Sequence, residues 1–203
     1  MSAAREALLD RCMAYLQDSG FSDLSIREIA AGVGTSHRML IYHFGTREQL
    51  LVAIVERIEA AQRTALADLV SPEGDLTEVG RQFWRRVSDP TLAPATRLFF
   101  EIYSHAIYRR PWTDSFRATV VDAWAEPLAE LLVQRGFDPA EARQRARLGL
   151  AATRGLILDL LVTGEREILD AAGDLLSELL VQPTRATGSG AGSTATLRAE
   201  EQT

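Results

Sequence analysis

One stretch near the N-terminus, Leu24 to Leu51 (LSIREIAAGVGTSHRMLIYHFGTREQLL), restricts the fold more than any other part of the chain. Ser25-Ile26-Arg27-Glu28 has the spacing of a capping box, in which the Ser25 hydroxyl accepts from the Glu28 N–H and the Glu28 carboxylate reaches back to Ser25. A helix therefore starts at Ile26. Gly32 and Gly34 free the backbone where that short helix stops, and Thr35 or Ser36 can cap the next one. The turn between them is only about three or four residues, the length a helix-turn-helix needs. Leu40 and Phe44, four apart, face inward with Ile29 and Val33, which leaves His37, Arg38, Met39 and Tyr42 pointing away, on a face fit for a major groove. Gly45 ends this helix, and Thr46-Arg47-Glu48-Gln49 is a second capping box that launches a long apolar helix.

A length of 203 residues suits one large domain or two smaller ones, and an apolar fraction of 46% is enough for a substantial core. No run of eighteen apolar residues and no basic-then-apolar leader occurs, so the expectation is a soluble cytoplasmic protein with no membrane partner. Cys12 is the single cysteine; it excludes an intramolecular disulfide and reads as a small packing residue. The net charge of -6 runs against binding to phosphate, but its distribution does not. From Gly32 to Arg47 there are two arginines, two histidines and no carboxylate. All 22 basic residues are Arg, a side chain that forks to phosphate or guanine, although base composition of the genome explains the bias equally well.

The rest of the chain reads as helices. Ala4 to Asp18 is amphipathic and stops at Gly20; Arg5 and Arg11 are expected at the surface, and Phe21 anchors the way into the capping box. The helix from Arg47 runs to about Leu69, roughly 30 Å. A turn at Ser71-Pro72-Glu73-Gly74 precedes a helix begun by Asp75 and Glu78 and ended by Asp89-Pro90. Helices follow over Leu92–Tyr108 and Trp112–Gln134, the second kinked at Pro127; Asp138-Pro139 then caps the next. The last two, Ala140–Thr163 and Glu165–Val181, carry more apolar surface than one internal contact needs, which predicts a four-helix bundle with a second chain, Ala152 and Gly155 permitting close approach. Pro183 to Thr203 is rich in Gly, Ser, Thr and Ala and reads as a disordered tail.

The pattern Val33-Gly34-Thr35-Ser36, Leu40, His43-Phe44 and Arg47-Glu48 resembles the TetR family of transcriptional repressors. The resemblance covers about the first quarter of the chain. It implies an all-α fold: a helix-turn-helix DNA-binding head over residues 1–47 and a helical ligand-binding and dimerisation bundle over 48–182, followed by the tail, 183–203. It places Ser36 against phosphate at a helix N-terminus, and His37, Arg38, Met39 and Tyr42 where the family meets bases. Arg27 matches a position that also reaches DNA, and Thr35, His43 and Arg47 are assigned to the phosphate backbone. One residue departs: the family usually has Tyr directly after the recognition-helix Leu, and here Ile41 stands there with Tyr42 next, so either Tyr42 substitutes or a phosphate contact is missing.

Aromatics concentrate between Asp75 and Gln134, where TetR-like proteins enclose a small-molecule cavity. Trp84, Phe100 and Trp124 are candidate walls, and Glu101, Tyr103, His105 and Arg154 candidate polar contacts. The implied partners are double-stranded DNA carrying an inverted-repeat operator, a small effector, and a second copy held through the last two helices. The leading reading is a repressor released from DNA by a largely apolar or aromatic ligand. No catalytic residue, cofactor or metal is assigned, there being no nucleophile motif or phosphate loop. Two other readings rest on fewer residues: a dimeric ligand-binding or interaction module that has lost DNA binding, and a small all-α enzyme using Glu101 and His105.

Overall fold

The computed structural model describes residues 3–19, 24–71 and 73–182. These residues form α-helices and two 3-10 turns, with no strand among them. α1 (Ala3–Ser19), α2 (Ile26–Gly32) and α3 (His37–Phe44) make an N-terminal head from which α4 (Arg47–Leu69) departs. α5 (Leu76–Val87), α6 (Ala93–Ile107), α7 (Asp114–Thr119), α8 (Asp122–Gln134), α9 (Pro139–Thr163) and α10 (Arg166–Val181) form the body. The expected stop at Gly20, the Phe21 anchor, Pro72 and the tail from Pro183 to Thr203 lie outside the described residues. Among the described residues no helix is long and apolar enough to cross a membrane.

The head is held by the local chemistry its sequence encodes. The Ser25 hydroxyl accepts from Glu28 N–H at 3.3 Å and the Glu28 carboxylate from Ser25 N–H at 2.7 Å. Thr46 and Gln49 repeat the arrangement at 3.3 and 2.9 Å. Of the two candidates at the turn, Ser36 is the cap, accepting from Met39 N–H at 3.2 Å. Each cap is worth about 1 kcal/mol. Between α2 and α3 the chain closes a Schellman motif: Gly34 sits at φ 66°, Thr35 N–H donates to Ala30 O at 2.9 Å and Gly34 N–H to Ala31 O at 3.2 Å. Arg11 donates to the Val33 carbonyl just before it. Arg5 is less exposed than expected, its guanidinium lying 4.9 Å from the Phe44 ring centroid while Nε donates to His43 O.

Leu8, Leu9, Cys12 and Leu16 of α1 pack on Ile29 and Leu40, and the same apolar cluster continues through Leu50 to Val55 of α4 into Leu98, Phe99 and Ile102 of α6 and Phe116 of α7. Burying a side chain such as Leu40 contributes about 1.5 to 3 kcal/mol. Burial pushes the Cys12 thiol up to about 11, which keeps it a neutral packing group. A Cβ at Gly32 would lie within 2.2 Å of the Tyr15 ring, so the α1–α2 approach depends on its absence.

In the body α8 lies along α9, and α10 packs on α5 and α9. The stretch Trp112–Gln134 is not one helix kinked at Pro127. It breaks at Val120–Val121, between α7 and α8, and Pro127 is carried within α8. The cause is a long-range contact: the Val120 carbonyl accepts from the Arg154 guanidinium of α9, while Trp124 N–H turns to Val121 O at 3.1 Å. The helix expected from Leu92 begins instead as a 3-10 turn, Pro90–Leu92, before α6.

α6 ends in the same motif as α2, with Arg110 N–H donating to His105 O at 3.3 Å and Arg109 N–H to Ala106 O at 3.0 Å, but the left-handed position is occupied by Arg109 at φ 53°. Equivalent positions with opposite residues give a paired prediction. Gly34→Ala is expected to lower stability by about 1 kcal/mol and Arg109→Gly to raise it by up to about 1 kcal/mol, read as shifts in urea midpoint at constant slope.

Candidate functional site

On the head, α3 presents a face that its packing leaves bare. Leu40 and Phe44 are buried against the core, whereas Arg38, Met39, Ile41 and Tyr42 are exposed, Tyr42 to 78%. His37 and His43 are half-buried, and the His43 ring meets Tyr42 edge-on with centroids 5.0 Å apart. Ser36 stands exposed at the N-terminus of α3, and Arg27 is exposed on α2. Thr35 is half-buried at the turn, its N–H spent on Ala30. Arg47 donates through Nε to Leu24 O at 2.7 Å, so it ties the start of α4 to the segment leading into α2. Glu28, the carboxylate nearest this face on α2, is engaged by Ser25, which holds its carboxyl below the usual range. The exposed surface of α3 thus combines a guanidinium, a thioether and a phenol with no competing carboxylate on the helix.

In the body, α4, α5, α6, α8, α9 and α10 surround a cavity of about 210 Å³. Its walls are mostly apolar. Of the expected ligand residues, Trp84, Phe100, Trp124 and Arg154 line it; Glu101, Tyr103 and His105 do not. Glu101 is exposed on α6, and His105 packs on Trp112 with centroids 5.1 Å apart. Tyr103 packs on Phe99 and Phe116 and keeps a link to the site through Arg154, whose guanidinium lies 5.6 Å from its ring. Among the described residues no group of three or more His, Cys, Asp and Glu is arranged to hold a metal ion.

The residue that sequence reasoning missed is Glu59. It lies on α4 in register with Val55, Gln62 and Leu66, all lining the cavity, and a carboxylate within such an apolar stripe is the signal that would have found it. Its Oε2 accepts from Trp124 Nε1 at 2.7 Å and stands 3.6 Å from Arg154 Nη2. Trp84 is fixed differently, donating to Asp170 of α10 at 2.9 Å with its ring against Gly173. Loss of hydration pushes the Glu59 carboxyl above its ordinary value, outweighing the opposing pull of Trp124, Arg154 and Arg63. Burial likewise lowers the Arg154 guanidinium, with Glu59 and Tyr103 acting against the shift.

A carboxyl whose folded pKa is raised binds more protons in the native than in the unfolded state, so its contribution favours the fold below the ordinary value of 4.5 and is lost as pH rises through the folded value. Glu59→Gln does not titrate. Its stability relative to the parent chain is therefore expected to improve from about pH 4 to about pH 7 in paired urea unfolding curves; a difference that stays flat or reverses would contradict the burial assignment.

Comparison with known proteins agrees with this geometry. Residues 8–54 match the profile described as bacterial regulatory proteins, tetR family. A stretch of 84 residues is 30% identical to the HTH-type transcriptional repressor NicS of Pseudomonas putida, covering 39% of this chain and 40% of that repressor's length. A transcriptional regulator from Rhodococcus sp. Rha1 shares the fold at TM-score 0.71 with 22% identity, over 89% of this chain and 97% of that one. The multidrug binding protein EbrR, solved with imidazole, aligns at TM-score 0.64 with 26% identity over 91% of this chain and 93% of its own; solved with proflavin, it aligns at 0.61 with 27% identity over 86% and 98%. The matched profile, NicS and the Rhodococcus protein are described as transcription regulators, which lends the catalytic reading of Glu101 and His105 no support. The N-terminal helix-turn-helix thus matches the DNA-binding head of the tetR family, and the architecture behind it shares the fold of solved TetR-type regulators.

Proposed function

We propose that the chain is a cytoplasmic homodimeric repressor that leaves an inverted-repeat operator when a small, largely apolar or aromatic effector enters the cavity. The observation that carries this reading is that α4 belongs to both sites: its first turns pack in the head core and its middle supplies Val55, Glu59 and Gln62 to the cavity wall. An effector that prefers one setting of this helix shifts the population of DNA-competent heads, and a hundredfold change in operator affinity needs only about 2.7 kcal/mol of coupling. The repressor name of NicS supports the direction of regulation, and the ligands of EbrR support an aromatic effector.

Dimerisation through α9 and α10 is supported by their apolar residues left in solvent: Leu148, Leu158 and Val162 on one, Ile168, Leu175 and Leu179 on the other. A monomer rarely exposes that much apolar area on neighbouring helices. The Gly155 position has nothing within 4 Å, which leaves room for a second backbone. Two heads would then meet half-sites about 34 to 36 Å apart. Leu175→Glu is expected to yield a monomer by sedimentation with the helical signal retained; a dimer of unchanged affinity would place the interface elsewhere.

In the operator complex Arg38 forks to a guanine, Met39 packs on a thymine methyl, Ser36 and Thr35 meet phosphate, and His37, Tyr42, His43 and Arg27 complete the contact. The full-length chain is offered a random duplex pool at about 0.15 M salt. An enriched inverted repeat is expected. Arg38→Ala then loses about 1 to 3 kcal/mol at one base position, whereas Arg47→Ala weakens operator and random DNA alike. An unenriched pool from a folded dimer would favour the second reading, a ligand-binding module without DNA recognition; the observation on its side is Ile41, exposed to 45% where the family usually presents Tyr.

A further inference from the structure

Charged groups of both signs face the cavity, and they are not equally satisfied. Arg154 donates to the Val120 carbonyl and lies 5.2 Å from the Phe99 ring centroid and 5.6 Å from that of Tyr103. Arg145, also on the lining, is committed to Glu141 and to the carbonyls of Leu179, Leu180 and Gln182. Glu59 has less. One neutral N–H, that of Trp124, reaches its Oε2; the ion pair with Arg154 at 3.6 Å is longer than a hydrogen bond, and Arg63 adds its positive field. The cavity wall that holds this carboxylate also carries rings: Trp124, with Phe83 at 5.6 Å between centroids, Phe99 with Phe100 at 5.1 Å, and Trp84.

We propose that the effector is a planar aromatic cation whose N–H group donates to the Glu59 carboxylate while its ring lies against Trp124, Phe83 and Phe99. This rests on the reading of the cavity as the effector site. An anionic ligand would have to sit beside Glu59 and compete for an arginine already bound to protein acceptors. A neutral hydrocarbon would remove the remaining water from the carboxylate and return nothing. A cation gains a charge-assisted hydrogen bond in a low-dielectric site and the negative faces of the rings. The volume, about 210 Å³, exceeds the roughly 150 Å³ void that holds benzene, leaving room for two fused rings.

The test uses the full-length chain and three probes of one shape and different charge: naphthyl amidine, naphthyl carboxamide and naphthyl carboxylate, titrated by calorimetry near neutral pH. The amidine is expected to bind at least about tenfold more tightly than the carboxamide, with the carboxylate weakest. Glu59→Gln, with its fold checked by circular dichroism, is expected to bring amidine and carboxamide to within about threefold of each other. Should that variant not fold, Trp124→Phe keeps the ring and removes the donor that competes for the carboxylate; it is expected to widen the amidine preference, and a narrowed preference overturns the proposal. Carboxamide or carboxylate binding as tightly as the amidine overturns the charge assignment and leaves the effector cavity standing. Binding by none of the three overturns both.

Discussion

A carboxylate turned into a helical body must be met by something there, because removing its water costs several kcal/mol even after relaxation. Glu59 is met by Trp124 from α8 and Arg154 from α9, and much of the body's arrangement follows from that requirement. Trp124 reaches Glu59 because α8 starts where it does. α8 starts there because Arg154 captures the Val120 carbonyl and ends the preceding helical run. Arg154 is in turn supported by Phe99 and Tyr103 of α6. Four helices are thus arranged around one largely buried carboxyl, in a network whose members depend on one another more than pairwise contacts suggest.

That charge sits on the helix that leaves the head. From Arg47 to Glu59 is about 18 Å along a rigid rod, and the rod's first turns carry Leu50, Leu51 and Ile54 into the same core as Leu40 and Ile29. On the proposed function, anything that changes how Glu59 is held acts on α4 at a point remote from DNA and is felt at its start. Gln62, bonded to Arg86 of α5, adds a further hold on the same helix one turn along. The coupling requires a difference in affinity between two settings of α4, not a path of successive side-chain movements.

Much of the head was legible in the sequence because its determinants are local. Ser25 with Glu28, Thr46 with Gln49 and the Gly34 turn each join residues within a few positions, and the structure forms all three. The apolar periodicity that placed Leu40 and Phe44 inward was equally local. What could not be read depended on distant partners. Pro127 is the obvious local breaker, yet it costs only the hydrogen bond to the Ala123 carbonyl, and the chain breaks instead at Val120, whose carbonyl is taken by a residue 34 positions later. Glu101 and His105 stood out as ionisable groups in an aromatic stretch but lie off the cavity, whereas Glu59 was overlooked because a single acidic residue on a long helix ordinarily faces water.

The apolar cluster running from Leu8 to Phe116 has a thermodynamic meaning beyond packing. A helix-turn-helix attached by a flexible linker would open and close on its own, with amide exchange indifferent to events in the body. Here α2 and α3 cannot open without uncovering Leu50 and Ile54, which also support α6, so head and body belong to one cooperative unit. On the proposed function, ligand free energy gained in the cavity is therefore registered as slower amide exchange in α2 and α3, even where no atom of the head has moved.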